Sequence, residues 1–246
     1  MKETRILMGM PITVEIVDNI VTKKEFGKIF SYFEAIDCRF STYKKESEIS
    51  LINKCLVKEK DFSCEMKEIF SLAEETKELT FGYFDIVTPL GKYDPSGIVK
   101  GWAVYKASRI LEEDGYKNFY IDAGGDIQTS GKNSNGKKWK IGIRNPFNTE
   151  EIVKTVELSG EGVATSGLYI RGDHIYNPNN KNYSIENFAS LTVIGPNVYE
   201  ADRFATASFA MGVGGIDFIE GLKEFEGYAI NNNSIAVFTS NFEKYA

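Results

Sequence analysis

The chain of 246 residues has only three cysteines, Cys38, Cys55 and Cys64. Their number is odd and their spacings match no zinc-binding pattern, so we expect reduced thiols. No run approaches the roughly 18 apolar residues that a membrane-spanning helix needs. The first 17 residues also lack the apolar stretch of a signal peptide, because Pro11 and Glu15 interrupt it. The sequence as it stands therefore predicts a cytoplasmic protein, and the alternative is an exported or lipid-anchored form whose signal has been removed.

Basic residues are fewer than acidic ones. The chain has 29 Lys and Arg against 35 Asp and Glu, a formal net charge of −6. A nucleic-acid-binding protein usually presents a basic face, and no Lys/Arg cluster stands out. The short stretch KKWK at 137–140 is typical of a solvated strand end. We therefore expect no nucleic-acid partner.

Histidine occurs once, as His174 in the stretch GDHIYNP at 172–178. Histidine is the side chain whose unperturbed pKa puts its charge change near neutral pH. Taken alone, this residue fits both a role in an active site and an incidental place on the surface.

Hydrophobic residues make up 42% of the chain, enough to form a sizeable core. Helical spacing of apolar residues predicts helices over 24–37, 64–79, 98–114, 201–212 and 217–225. Strand composition predicts strands over 4–17, 119–127, 138–144, 151–158, 191–195 and 234–240, with a turn at 231–233. Because strands and helices do not alternate regularly, we expect an α+β domain rather than a doubly wound parallel sheet.

Two segments could bind ions. Gly124 and Gly125, in DAGGDI at 122–127, can adopt positive φ and bring backbone N–H groups close to a phosphate. The alternative is a tight turn. Asp202 and Thr206 are an i, i+4 pair on one face of a predicted helix and could bind a hard cation such as Mg²⁺. The alternative is an acidic helix start beside a packed threonine.

A third segment, YDPSGIVKGWA at 93–103, leads from a Pro-Ser-Gly turn into a helix whose first turn carries Lys100. Helix N-termini favour anions, and a lysine there adds a point charge for phosphate. A surface lysine at a helix start is the simpler alternative.

Taken in order, seven segments resemble the motifs of the ApbE-like FAD:protein FMN transferases. They are MGMPITVEI at 8–16, STYKKESEISLIN at 41–53, GYFDIVTPLG at 82–91, GIVKGWAV at 97–104, DAGGDI at 122–127, ATSGLYIRGDHIYNP at 164–178 and ADRFATASFAMG at 201–212. The family patterns they resemble are an MGT start, S-x-Y-x-x-x-S-E-I-x-x-x-N, G-x-F-D-x-T-V-x-P-L, G-I-A-K-G-Y-A-V, N-x-G-G-D-I, A-T-S-G-x-Y-x-R…H-I-x-D-P and A-D-x-x-A-T-A-x-F-x-M-G. Collinear motifs over most of the chain are far more specific than any one of them.

The resemblance implies a single ApbE-like domain over residues 1–246 with a T-fold-related α+β architecture of mixed, largely antiparallel sheets and packed helices. It also implies a Mg²⁺-dependent enzyme that transfers FMN from FAD to a Thr or Ser hydroxyl of an acceptor flavoprotein and releases AMP. Two alternatives remain open. One is an FAD pyrophosphatase that gives FMN and AMP, and the other is a non-catalytic FAD-binding protein.

The resemblance also implies roles for individual residues. The metal ligands would be Gly97, Asp202, Ala205 and Thr206. The FAD pocket would include Met8, Ser41, Tyr43, Tyr83, Phe84, Asp85, Asp94, Lys100, Gly124, Gly125 and Thr165. His174 would be the general base that removes the proton of the attacking hydroxyl.

Three departures from the family pattern stand out. Asn177 occupies the place of an acid, and NNKNY follows Pro178 where T-G is usual. The stretch TPLGKYDPSGIVKG at 88–101 joins two motifs that the family usually separates by a longer segment. We therefore expect a shortened member whose adenine pocket, rate or acceptor choice differs.

Overall fold

A computed structural model describes residues 1–18, 21–167, 178 and 188–246. In this part of the chain the strands are β1 (Lys2–Leu7), β2 (Met10–Ile16), β3 (Phe119–Ala123), β4 (Asp126–Ser130), β5 (Trp139–Asn145), β6 (Asn148–Leu158), β7 (Gly162–Gly167), β8 (Phe188–Gly195), β9 (Glu226–Asn231) and β10 (Ala236–Phe238). The helices are α1 (Lys23–Phe40), α2 (Glu48–Asn53), α3 (Cys64–Leu79), α4 (Ser96–Glu113), α5 (Val198–Met211) and α6 (Gly214–Glu220). Short 3₁₀ turns lie at Glu59–Asp61 and Phe242–Tyr245.

Eight of these strands form one sheet in the order β1-β2-β3-β4-β7-β8-β9-β10, and β5 pairs with β6 in a separate hairpin. Neighbouring strands are antiparallel throughout both sheets. This confirms the expected α+β architecture with largely antiparallel sheets.

One face of the large sheet is covered by helices. Ile12, Val14 and Ile16 of β2 are fully buried at alternate positions, as strand geometry requires. They share a core cluster with Phe119 and Ile121 of β3 and with apolar residues of α1, α3 and α4. The main core therefore lies between this half of the sheet and these helices.

The opposite face of the sheet is covered only in part. The β5–β6 hairpin packs Ile143 and Val156 against Val163, Ile194 and Tyr228 of the large sheet. The second face of β2 and β3 instead borders an open cavity. This half-covered face leaves room for a ligand.

Local chemistry explains where α1 begins. Thr22 and Glu25 form a capping box in which the threonine side chain accepts from the helix and the glutamate accepts from Thr22 N at 2.8 Å. Phe26, Ile29 and Phe33 follow at helical spacing and are buried.

Helix α5 is held at its start by β4. The buried Gln128 side chain accepts from Val198 N at 2.8 Å and donates to Gly160 O at 2.8 Å. Asn197 caps the helix by accepting from Glu200 N at 3.0 Å. These contacts fix the position of the first turn of α5 relative to β4.

Several predicted boundaries were wrong. The segment 4–17 forms two strands, because Met8 and Gly9 adopt φ of 53° and 74° and turn the chain back. The segment 119–127 is likewise divided by a hairpin turn at Gly124 and Gly125. The sixth helix starts three residues earlier than predicted and ends at Glu220, before Gly221.

One predicted turn was confirmed, and three elements of the structure had not been predicted. The turn at 231–233 does join a hairpin, between β9 and β10. Strands β7 and β9 and the short helix α2 were not predicted. Strand β7 is short and rich in small residues, which weakens its strand pattern. No helix of the described residues has the length and apolar character needed to span a membrane.

Candidate active site

A cavity of about 1340 Å³ lies where β3, β4 and β7 meet the starts of α4 and α5. It continues along the uncovered face of β2 and β3 beneath the β5–β6 hairpin. Most of the sequence-predicted site residues line it, namely Tyr83, Phe84, Asp85, Asp94, Gly97, Lys100, Gly124, Gly125, Thr165, Asp202 and Thr206. The fold therefore brings into one cavity residues that are more than 100 positions apart in the chain.

Oxygen atoms gather at the helical end of the cavity. Thr206 Oγ1 lies 3.5 Å from the Gly97 carbonyl oxygen and 3.5 Å from Ser166 Oγ. Asp202, one turn before Thr206 on α5, places its nearly buried carboxylate in the same cavity. A carbonyl, a hydroxyl and a carboxylate are the ligand types that a hard cation prefers.

A close contact between α4 and α5 brings these oxygens together. Gly101 N donates to Asp202 Oδ2 at 2.8 Å. In an α-helix Gly101 N also donates to the Gly97 carbonyl, so that carbonyl and the Asp202 carboxylate share one donor. A Cβ on Gly101 would lie 2.5 Å from Asp202 Cβ, so only glycine permits this approach. The Gly-x-x-x-Gly spacing of α4 thus aligns the carbonyl of Gly97 with α5.

Lys100 provides positive charge beside this oxygen cluster. Its Nζ lies 2.6 Å from Asp126 Oδ2, and the Asp126 side chain is only 1% exposed. The contact is an ion pair rather than a well-directed hydrogen bond. A buried carboxylate needs such a partner, and Lys100 is in turn held toward the cavity. Because α4 begins at Ser96, Lys100 lies in its second turn, not in the first as predicted.

The Gly124–Gly125 turn has the predicted shape but not the predicted donors. Both glycines have positive φ, 61° and 102°. However, Gly124 N donates to Pro11 O at 3.1 Å and Gly125 N donates to Asp122 Oδ1 at 2.8 Å. In this structure the turn uses both donors internally, and the binding of phosphate by these glycines stays a prediction.

The loop before α4 forms another wall. Asp85 is held by Lys77, whose Nζ lies 2.8 Å from Oδ2, and by Val87 N, which donates to Oδ1 at 2.8 Å. Asp94 Oδ1 accepts from Ser96 N at 3.1 Å at the start of α4. Both carboxylates are therefore already held in position at the cavity wall by protein groups.

Four predicted residues do not line the cavity. Met8 lies in the turn between β1 and β2 and packs against the main core. Ser41 ends α1, where its carbonyl accepts from Ser47 Oγ at 2.6 Å, and the nearby Tyr43 is 95% exposed. Ala205 is fully buried and offers no side-chain ligand. His174, the predicted general base, and Asn177 lie outside the described residues.

Sequence reasoning missed several residues that line the cavity. Asp122 and Arg144 project into it from β3 and β5, and Thr192 Oγ1 lies 2.8 Å from Thr165 Oγ1. Strand alternation could have indicated Asp122, since it stands between the buried Ile121 and Ala123. Arg144 could not have been found, because it lies at irregular pairing in the β5–β6 hairpin.

The electrostatics of the cavity are mixed. Burial raises the pKa of Asp122, and the nearby Asp126 adds to this, whereas the Gly125 N–H, Arg144 and Lys100 oppose it. The net effect is a pKa above the usual range of an aspartate. The cavity thus combines an oxygen cluster, a fixed lysine and a carboxyl group with a raised pKa, which suits an anionic ligand bound with a cation.

The chain resembles known proteins in both sequence and fold. The ApbE family model matches residues 8–93 and 89–229, and the two matches overlap at residues 89–93. The FAD:protein FMN transferase of Salmonella typhimurium is 30% identical over 128 residues, covering 48% of this chain and 37% of that protein. The match therefore spans little more than a third of that relative. The FAD:protein FMN transferase of Haemophilus influenzae is 24% identical over 285 aligned positions, covering 86% of this chain and 82% of that protein.

The fold is shared as well. The flavin transferase ApbE from Vibrio cholerae superimposes with a TM-score of 0.87 at 21% identity, over 100% of this chain and 99% of that one. At this identity the superposition shows the fold alone, while the family model covers most of the sequence. The chain belongs to the ApbE family.

Proposed function

We propose that this protein transfers FMN from FAD to a Thr or Ser hydroxyl of an acceptor flavoprotein, with Mg²⁺, and releases AMP. The observation that carries the proposal is the meeting of Lys100 with the oxygens of Gly97, Asp202 and Thr206 in one cavity. At about 1340 Å³ the cavity is larger than the 300–1,000 Å³ or so that typically holds a drug-sized ligand. It therefore has room for a dinucleotide. Relatives named for this activity match the chain.

The donor set fits Mg²⁺. All three groups are oxygens, and only one of them is charged. Among the described residues no group of three or more His, Cys, Asp or Glu could hold a metal, so this part of the chain offers no complete cage. Mg²⁺ is usually bound by one or two carboxylates together with substrate phosphates and water. When bound here, the ion would supply positive charge that neutralises the pyrophosphate.

The protein's own residues would position the substrate. Lys100, held by Asp126, would bind phosphate oxygens as a point charge. The Gly101–Asp202 contact would keep the carboxylate from rotating away. Ser166 on β7 lies beside Thr206, and its hydroxyl would orient the reacting phosphate. Thr165 on the same strand also lines the cavity, where its hydroxyl pairs with Thr192.

Removal of the proton from the acceptor hydroxyl is assigned to His174. This role rests on the sequence motif. His174→Gln should slow turnover and leave FAD bound, because a general base contributes about 10²–10⁴-fold to rate without holding the substrate. Equal turnover in the two proteins would remove His174 from the mechanism.

Residues 1–246 are proposed to act as one domain. Cavity residues come from β2 near the N-terminus, from β3 in the middle of the chain and from α5 in its last quarter, so neither half would form the cavity alone.

The direct test is mass spectrometry of a Thr-containing acceptor after incubation with the protein, FAD and Mg²⁺. The expected product is an acceptor heavier by one FMN less one water, as a phosphoester requires, with one AMP released for each transfer. AMP release that proceeds equally without acceptor would instead show an FAD pyrophosphatase. FAD that is bound but survives prolonged incubation would show a binding protein.

The metal ligands are tested by Asp202→Asn, which keeps an oxygen to accept from Gly101 N but removes the charge. We expect a large loss of turnover and a raised Mg²⁺ requirement, measured by titrating Mg²⁺ at saturating FAD. Asp217→Asn, at an exposed position on α6, is the matched control and should behave as the wild type. An unchanged Mg²⁺ requirement in Asp202→Asn would contradict the metal assignment.

A further inference from the structure

Asp122 is a carboxyl group in the cavity that the proposed mechanism does not use. It lies on β3 between Ile121 and Ala123, which are buried on the helical side, so its side chain faces the cavity. Its Oδ1 accepts from Gly125 N at 2.8 Å across the β3–β4 turn. Within the described part of the chain, no hydrogen bond engages Oδ2. One carboxyl oxygen is therefore fixed and the other is available to a ligand.

The surroundings of Asp122 come from four elements. Asp126 on β4 opposes its ionisation, and Lys100 on α4 and Arg144 on β5 favour it. On β2 the directly paired residue is Thr13, which does not titrate, and Glu15 is paired with Tyr120 on the same face. Lys100 is already committed to Asp126 at 2.6 Å. Burial dominates this balance, and the pKa of Asp122 lies above its usual range.

An ionised Asp122 would conflict with the substrate. The FAD pyrophosphate carries negative charge, and in the proposed function it binds at Lys100, within electrostatic reach of Asp122. Two negative groups in a partly buried site repel each other strongly. A protonated carboxyl removes this repulsion and can donate an O–H hydrogen bond.

We propose that Asp122 binds the FAD pyrophosphate in its protonated form, donating a hydrogen bond from Oδ2 to a phosphate oxygen. The inference rests on the proposed function and deepens it by naming a residue that makes substrate binding depend on pH. Binding then takes up a proton at Asp122 whenever the free protein has lost it. The N-x-G-G-D-I pattern has asparagine at this position, and an asparagine amide would donate the same hydrogen bond at any pH.

The sign of the pH dependence follows from linkage. Below the pKa of Asp122 in the free protein the group is already protonated, and FAD affinity does not change with pH. Above it, the dissociation constant rises with pH by up to about tenfold per unit, because one proton must be taken up. The rise ends at the higher pKa of the complex.

The test is titration of FAD into the protein, followed by flavin fluorescence, from pH 5 to pH 9. It is done in EDTA to prevent turnover and repeated with Mg²⁺. The wild type should bind FAD more weakly as pH rises, and Asp122→Asn should bind it tightly at every pH. Riboflavin, which has no phosphate, should show no such dependence in either protein. Asp217→Asn, the same change at an exposed position on α6 outside the cavity, is the matched control and should keep the wild-type profile.

The outcomes separate the two proposals. The same pH profile in wild type and Asp122→Asn would overturn the role of Asp122 and leave the proposed function intact. Weaker FAD binding by Asp122→Asn at low pH would also overturn it. A wild type that binds no FAD at any pH would overturn the proposed function itself.

Discussion

At the residue scale, the contact of Gly101 with Asp202 decides the geometry of the oxygen cluster. The absence of a Cβ lets α5 approach until Gly101 N reaches Asp202 Oδ2 at 2.8 Å. An added Cβ would lie 2.8 Å from Val198 O as well as 2.5 Å from Asp202 Cβ. Both neighbours belong to α5, so the helix would have to move as a whole.

Gly101→Ala should therefore lower stability by about 1–3 kcal/mol, the usual result of overpacking, and reduce FMN transfer. Gly27 is the matched control, because it also lies inside a helix but an added Cβ there meets nothing within 4 Å. Gly27→Ala should raise stability by up to about 1 kcal/mol through helix propensity and leave transfer unchanged. Urea unfolding and the acceptor assay measure both effects. Equal stability changes in the two variants would contradict the close packing of α4 on α5.

At the scale of elements, α5 carries the metal-binding residues, and Gln128 fixes where that helix begins. Gln128 is the chain's only glutamine, and it is buried. It links β4, the turn before β7 and the first residue of α5 through hydrogen bonds to Thr129 O, Gly160 O and Val198 N. One side chain thus ties the sheet to the helix.

Gln128→Met should cost about 1–3 kcal/mol, because the buried groups at Val198 N and Gly160 O lose their partner. The cost should appear as a lower midpoint in urea unfolding. Asn135→Ala, at an exposed position, should change the free energy of unfolding by less than about 0.5 kcal/mol. A Gln128→Met protein as stable as the wild type would show that other contacts position α5.

At the scale of the whole molecule, Asp18 links the end of β2 to the start of β3 across about 100 residues of sequence. Its carboxylate accepts from Lys117 N, Asn118 N and Asn118 Nδ2 at 3.0, 2.8 and 2.9 Å. Burial alone would raise the pKa of Asp18, but the hydrogen bonds from Asn118 and Lys117 outweigh it and lower that pKa. The folded state therefore binds this proton less readily than the unfolded state does.

A lowered pKa in the folded state stabilises the protein above the unfolded pKa, and this contribution is lost as pH falls through the folded value. Asp18→Asn should therefore be less stable than the wild type at neutral pH. The difference should shrink as the pH falls below about 4, followed by urea unfolding across a pH series. Glu46→Gln, which removes an exposed charge, is the control. A constant difference between wild type and Asp18→Asn down to pH 2 would contradict the assignment.

The family and most of the helices could be predicted from the sequence alone. Helix α3 spans the predicted residues 64–79, and α1 and α4 differ from prediction by a few residues. Helical spacing and capping act within a few residues, so they are visible in the sequence. The motifs also identified most of the residues that line the cavity.

How these residues are combined in one site follows from contacts between distant segments of the chain. The ion pair of Lys100 with Asp126 and the approach of Gly101 to Asp202 join distant segments, and no local pattern encodes them. The glycine turn was recognised correctly, but only the fold shows that Pro11 and Asp122 already accept from its N–H groups. Hydrogen-bond partners and burial depend on which segments meet, and that is settled by the packing of the whole chain.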